Sequence, residues 1–539
     1  AIIQLNHAGR MGKFRLNGIQ PVAPSPIPAP QGEVPRELGV DEISGIVASF
    51  AQAAGRARKA GFDGIEVHAA HGYLLASFCS PHSNKRQDRY GGNVENRARM
   101  LIEVLTAIRK TVGDEYPLWC RINGREYGAE DGLTLEDGQS VARMANSLVN
   151  AVSVSVQGYG ASALVNYPDE PGAMLPLAAE IKKVVTVPVI AVGRLTPEVA
   201  EKAIVDGQAD LIAMGRQSLA DPEVPNKIMS GRLEDIRPCI ACFYCADAGL
   251  QSNSPVACQV NAELGKEREC EIQPAKVARK IAVIGGGPAG LEASRVLALR
   301  GHKVTLLEKQ ARLGGMLTVG AMPPHKERLK PLIGYFETQL RKLDVDIRLN
   351  TEANADLIAS LGADVVLMAA GSLPSIPPIP GVDGKNVVTA IDILAGKAQA
   401  GKTVVVIGGG STGCETAEFL LVRGSETIVV EMLPGLALDV GTRERMRLLN
   451  RITALPIVFL TNTRCTEIKA DGISVCGKDD TQRFIAADSV VLAAGVRPNN
   501  ALFQELHLRG IETHMAGDCW HPGMIVGAVS DGARLGYTL

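Results

Sequence analysis

The chain has 539 residues, 46% of them apolar, which is more than a single hydrophobic core usually serves and predicts two to four domains. Its 56 basic and 58 acidic residues leave a formal net charge of −2 with no long run of one sign. That balance argues against a nucleic-acid footprint or an acidic tail and points to small-molecule partners.

No stretch reaches the roughly 18 uninterrupted apolar residues of a membrane span, and Ala1-Ile-Ile-Gln-Leu5 lacks a basic targeting segment, so no membrane association is expected. The opening residues already read as a buried strand, which suggests that a preceding segment is missing.

Short apolar runs at Ile2–Leu5, Gly64–His68, Leu118–Asn123, Ala151–Val156, Pro188–Val192 and Asp210–Met214 alternate with longer helical stretches. Alternation of this kind predicts parallel strands with crossover helices. Chemistry-bearing residues follow several different strands, which fits an incomplete (β/α)8 TIM barrel over residues 1–235 better than an open sheet. Two strands would then precede Ala1. Just past one strand end, the run Gly64-Ile-Glu-Val-His68-Ala-Ala-His71-Gly-Tyr73 sets two imidazoles and a phenol side by side. They could hold a substrate carbonyl, or be ordinary hydrogen-bonded loop residues.

Three segments carry a resemblance: Gln4-Leu-Asn-His7-Ala-Gly-Arg10, His68-Ala-Ala-His71-Gly-Tyr73-Leu-Leu75, and Ser83-Asn-Lys-Arg-Gln-Asp-Arg-Tyr-Gly-Gly-Asn93. They are similar to the Old Yellow Enzyme flavin barrel. The resemblance implies FMN at the barrel mouth, with Gln4 and Arg121 near the isoalloxazine and Gly193, Arg194, Gly215 and Arg216 at the phosphate. It also implies that His68 and His71 anchor the electron-withdrawing oxygen of a substrate and that Tyr73 delivers a proton. A tyrosine keeps its proton up to a pH near 10, which suits an acid that quenches a carbanion. A purely structural hydroxyl is the alternative.

Residues 236–278 hold Cys239-x2-Cys242-x2-Cys245-x12-Cys258, four of the eleven cysteines. The other seven are scattered singly, a usage that suits a reducing compartment, taken as cytoplasmic, rather than a disulfide framework. Four thiolates can enclose one 4Fe-4S cube. Tetrahedral zinc is the competing reading, although such sites more often pair two separate C-x-x-C knuckles. Cys270 lies beyond this spacing and is read as a bystander.

Two glycine fingerprints follow, Gly285-Gly-Gly287-Pro-Ala-Gly290 and Gly408-Gly-Gly410-Ser-Thr-Gly413, each between an apolar strand and a helix start. In each, bare glycines let backbone amides approach a pyrophosphate at the helix N-terminus, and Glu308 or Glu431 stands where ribose hydroxyls would be bound. A carboxylate at Glu431, with no arginine soon after it, favours NADH over NADPH. The first fold breaks off after Met368-Ala-Ala-Gly371 and is expected to return at Leu492-Ala-Ala-Gly495 and His514-Met-Ala-Gly517-Asp518. Two nested Rossmann-like domains are therefore expected: FAD-binding at 279–390 and 491–539, with an NAD(H)-binding domain inserted at 391–490. This arrangement resembles the pyridine nucleotide-disulfide reductases, which implies that Gly517 and Asp518 meet FAD. Their redox C-x4-C pair is missing, Cys414 standing singly, so disulfide reduction is not expected.

Taken whole, the chain resembles the subfamily of 2-enoate reductase, 2,4-dienoyl-CoA reductase and trimethylamine dehydrogenase. The resemblance implies electron flow from NADH through FAD, a 4Fe-4S cluster and FMN to the C=C bond of an α,β-unsaturated carboxylate or carbonyl compound. A CoA thioester is the second choice of substrate. An amine dehydrogenase is disfavoured because only Trp119 and Trp520 could contribute tryptophan to an ammonium cage. A pure electron carrier is disfavoured by the intact His68, His71 and Tyr73. A symmetric homo-oligomer is expected of such a chain.

Overall fold

All six strands expected in the first region form, and they hydrogen-bond side by side in chain order, every pair parallel. Their observed bounds are Ile2–Leu5, Gly64–Ala69, Leu118–Tyr127, Ala151–Gly158, Val189–Ala191 and Leu211–Ile212. Sequential parallel neighbours joined by crossover helices are the winding of a (β/α)8 barrel. These observations come from a computed structural model that describes residues 1–30, 32–251 and 255–539. The chain divides into two units, Ala1–Gly215 and Arg216–Leu539, which are taken separately below.

In the first unit, alternation along the strands sorts side chains onto two faces. Ile65, Val67, Cys120, Ile122, Val152 and Val154 are buried in one apolar cluster with Ala54, Leu101, Leu105 and Val141 of the flanking helices. Each such aliphatic side chain contributes about 1.5–3 kcal/mol relative to exposure. Register places the residues of opposite parity in matching rows: Glu66 beside Trp119, His68 beside Arg121, and Asn123 beside Ser155. Filled barrel interiors favour branched aliphatics, so a polar inner row marks a face kept for chemistry. The helices begin where sequence provides caps, with Asn93 accepting from the Asn96 amide at 3.0 Å and Thr134 from the Asp137 amide at 3.2 Å.

The second unit contains two five-stranded parallel sheets. The first runs Asp346–Arg348, Lys303–Leu307, Lys280–Ile284, Val365–Met368, Thr513–Met515. The second runs Val387–Thr389, Ser489–Leu492, Thr403–Ile407, Glu426–Val430, Val458–Leu460. The last strand of the first sheet arrives only after the whole second sheet, which is the nesting that the sequence predicts. Chain passes out and back through an antiparallel pair, Ser372–Pro374 with Val496–Pro498.

One expectation is corrected by the hydrogen bonding. Leu492 pairs with Ile407 and Thr389, so Leu492-Ala-Ala-Gly495 ends a strand of the inserted sheet rather than returning to the first. The return is Thr513–Met515, and the inserted sheet extends past the bounds 391 and 490 on both sides. The signal misleads because an apolar strand followed by small residues suits the end of either central strand. Among the described residues, no helix is long and apolar enough to cross a membrane.

Candidate functional sites at the barrel mouth, the cysteine loop and the glycine turns

His68 lies on the strand Gly64–Ala69, while His71, Gly72 and Tyr73 form the turn into the helix Leu74–Cys79. His71 has φ of 61° and Gly72 of 74°, a left-handed pair that aims the second imidazole back at the first. The ring centroids of His68 and His71 are 5.0 Å apart, and those of His68 and Tyr73 are 4.9 Å apart, both edge-on. The three residues singled out by sequence therefore form one cluster.

A single hydrogen-bond chain fixes their tautomers. The Ala70 amide donates to His68 Nδ1 at 3.4 Å, leaving the proton on Nε2. His68 Nε2 then donates to His71 Nδ1 at 3.3 Å, and His71 Nε2 donates to Ser155 Oγ at 2.7 Å. The His71 amide is held by Asn123 Oδ1 at 3.2 Å. Asn123 adjoins an irregularity in strand register at Gly124, of the kind that re-aims side chains beside a site. Burial, then the Arg121 charge, pushes the His68 imidazole down to about 4. Burial, Arg121 and His68 together push His71 down to about 3. Both rings are thus neutral N–H donors near pH 7, able to receive charge on a substrate oxygen without a proton leaving them.

The residues expected to hold a flavin have features that suit one. Arg121 Nε is buried without a hydrogen-bond partner among the described residues. Gln4 donates to Glu66 at 2.5 Å, and Glu66 also accepts from the Trp119 indole at 2.9 Å. Gly193 and Arg194 are both left-handed, with φ of 108° and 46°, and a Cβ at Gly193 would sit 2.8 Å from Met174 Cε. Gly215 opens the helix Gly215–Ala220, and a Cβ there would touch nothing within 4 Å.

In the second unit, the Arg216 guanidinium stacks 5.2 Å from the centroid of Phe243 in the cysteine loop, a placement the sequence does not reveal. Arg447 covers the same ring at 4.5 Å. Ala241 and Phe243, between the first three cysteines, have φ of 48° and 60°. Beside that left-handed backbone, Tyr244 donates to the Cys242 sulfur and Ala246 to Cys245, and on the separate segment around Cys258 the Val260 and Asn261 amides donate to its sulfur. Burial pushes the Cys242 thiol up to about 12, and the other three cysteines add to the rise. Among the described residues, no three His, Cys, Asp or Glu side chains converge on a point as ligands of one ion. The donor set, four cysteine sulfurs with backbone amides directed at three of them, suits a thiolate-held group. Arg237, missed by sequence reading, braces this loop from within, donating to the Val260 carbonyl at 2.9 Å and pairing with the buried Glu292 at 3.4 Å.

Both glycine turns have the expected form. Gly285 and Gly408 have φ of 104° and 108°. A Cβ on Gly290 would lie 2.0 Å from the Gly285 carbonyl, and one on Gly413 1.9 Å from that of Gly408. Glu308 accepts from the amides of Gly286 and Gln310, each at 2.7 Å. Glu431 accepts likewise from Gly409 at 2.6 Å and Leu433 at 2.7 Å. Each carboxylate thus holds the turn that it is expected to serve. Gly287 and Gly410 begin the helices Pro288–Leu299 and Ser411–Val422. Gly517 is left-handed at φ 66° and follows the returning strand, and Asp518 accepts from Ser372 Oγ at 3.3 Å and the Gly523 amide at 3.0 Å. Burial raises the Asp518 carboxyl. Cys414 is fully buried, its thiol pushed up to about 12 by burial, and is unsuited to attack a disulfide.

Residues 1–235 match the NADH:flavin oxidoreductase / NADH oxidase family, and residues 258–357 and 279–517 match pyridine nucleotide-disulphide oxidoreductase. The chain is 42% identical to an NADH oxidase of Thermoanaerobacter brockii, over 100% of this chain and 84% of that protein. It is 36% identical to a cinnamate reductase of Clostridium sporogenes, over 95% and 80%. A solved structure of 2-naphthoyl-CoA reductase with 2-naphthoyl-CoA aligns with a TM-score of 0.96 at 35% identity, covering 100% of this chain and 85% of that one. The chain belongs to the NADH:flavin oxidoreductase / NADH oxidase family, as a flavoprotein oxidoreductase whose Old Yellow Enzyme-type barrel is joined to an FAD- and NAD(P)H-type module.

Proposed function

We propose that the protein is an NADH-dependent ene-reductase for alkenes conjugated to a carboxylate or carbonyl group. The observation that carries this reading is the neutral His68–His71 pair set edge-on beside Tyr73. When bound, FAD, a 4Fe-4S cluster and FMN would pass reducing equivalents from NADH to the barrel mouth, where a hydride equivalent reaches the substrate β carbon. His68 and His71 would stabilise the negative charge then developing on the carbonyl oxygen, by exchanging their internal acceptors for that oxygen. The Tyr73 hydroxyl would donate the proton that completes the α carbon. Arg121 would hold both imidazoles in the uncharged form.

In the second unit, Cys239, Cys242, Cys245 and Cys258 would hold the cluster. The first glycine turn, with Glu308, Gly517 and Asp518, would hold FAD, and the second, with Glu431, would receive NADH. A free acid or enone is preferred to a CoA thioester on the strength of the His-x-x-His anchor.

The test is an anaerobic NADH titration of the purified protein, followed by addition of an enoate, an enone, an enoyl-CoA and trimethylamine in separate samples. Reoxidation of the flavins by one alkene class, with a paramagnetic cluster signal in the reduced protein, is the expected result. Flavins that no alkene reoxidises, or that are reduced by trimethylamine, would overturn the reading.

A further inference from the structure

The two glycine turns keep identical spacing from Gly285 and Gly408 through Glu308 and Glu431 to Leu313 and Leu436. In each, the loop after the carboxylate closes on the turn by one backbone bond: Gly314 amide to Gly286 carbonyl, and Ala437 amide to Gly409 carbonyl, both at 2.8 Å. Two residues beyond that bond the copies differ in charge. The first has Met316, the second Asp439.

The divergence falls on the place where a phosphate would sit. Asp439 Oδ1 accepts the Ser411 amide at 2.8 Å, and Oδ2 accepts the Ser411 hydroxyl at 2.6 Å. Ser411 is the first residue of the 12-residue helix Ser411–Val422. Its N-terminal amides carry partial positive charge and attract anions. The three atoms nearest a Cβ on Gly410 would be those of the Asp439 carboxylate, at 3.5–3.6 Å, whereas one on Gly287 would meet nothing within 4 Å. The same bare approach is thus open in the first copy and covered by an acid in the second.

We propose that Asp439 is a specificity- and exchange-determining residue of the second nucleotide site, an internal anion that occupies the pyrophosphate position until a dinucleotide displaces it. The inference rests on the reading of this fold as the NADH site. Asp439 is exposed, so its side chain can swing into water without breaking a packed core. A nucleotide that must enter reduced and leave oxidised at each turnover is served by such a competitor. A flavin retained through turnover is not, and the first copy has none.

The test is direct titration of the oxidised holoenzyme with NAD+ and with adenosine, comparing wild type, Asp439→Asn and Glu431→Ala. Asp439→Asn keeps the shape and removes the charge; it should tighten NAD+ about threefold or more and leave adenosine unchanged. Glu431→Ala should weaken NAD+. If Glu431→Ala weakens NAD+ while Asp439→Asn leaves it unchanged or weaker, the role of Asp439 is overturned and the NADH reading stands. If Glu431→Ala has no effect, the NADH reading falls and the inference with it. Should Asp439→Asn fail to fold, Asp439→Ala removes the same charge from an exposed position. It should tighten NAD+ likewise, and unchanged or weaker NAD+ binding would overturn the inference.

Discussion

The barrel mouth and the glycine turns solve the problem of holding a reactive group in opposite ways. At the mouth, the proposed function lies in side chains: two imidazoles, a phenol and a guanidinium on a polar row whose backbone any residue could adopt, His71 and Gly72 apart. At the turns, function lies in the absence of side chains, and the close approaches of Gly290 to Gly285 and of Gly413 to Gly408 leave no room for a methyl group. A substitution at the mouth should therefore alter chemistry and spare the fold, while one at a turn should alter the fold and its nucleotide together.

The largest effect expected is at Tyr73. Tyr73→Phe should slow alkene-dependent turnover by about two to four powers of ten. Stopped-flow reduction of the flavins by NADH should remain at the wild-type rate, and an equal loss there would remove the distinction between the two regions.

Next come the glycines. Gly290→Ala should cost about 1–3 kcal/mol by overpacking and deplete FAD in a flavin extraction while FMN persists. Gly413→Ala should leave both flavins bound and abolish their reduction by NADH. Loss of FMN in either variant would break the comparison.

Acid stability sharpens it further. Free histidines bind protons below about pH 6.5, whereas folded His68 and His71 resist until about 4 and 3. The unfolded state therefore takes up more protons between those limits, and stability falls as pH drops from about 6.5, by up to about 1.4 kcal/mol per pH unit for each histidine. Chemical denaturation of the wild type and His71→Gln at pH 7.5 and 5 measures the difference, and an identical pH slope in both would refute the contribution of His71.

The smallest effect is at Ser155. Ser155→Ala removes one acceptor from His71 and should cost about 0.5–1.5 kcal/mol of stability, with a modest rise in alkene KM. A loss as large as that of Tyr73→Phe would mean that Ser155 itself handles the substrate.

The strands and both nucleotide turns were legible because their signals are local: alternation, apolar runs and glycines at fixed spacing. His68, His71 and Tyr73 were legible for the same reason, lying within six residues of one another. Ser155, Asn123 and Arg237 were not, because each acts on a partner tens of residues away and nothing in a lone serine or arginine announces that partner. Asp439 lay in plain sight, but its position relative to Gly410 depends on how the loop after Glu431 closes. The motif Gly215-Arg216 suits a phosphate, while the stacking of its guanidinium on Phe243 is a contact that no local signal announces.

The strand Thr513–Met515 completes the first nucleotide sheet by pairing with Val365–Met368, while every strand of the second sheet lies between them in sequence. On a ribosome, the inserted domain can therefore finish folding while the first sheet still exposes an unpaired edge. A chain that stalls before residue 513 would hold a finished domain beside an unfinished one, and closing the outer sheet requires the ends of the insertion to come together. The stability of the inserted domain thus sets how readily the outer one can close.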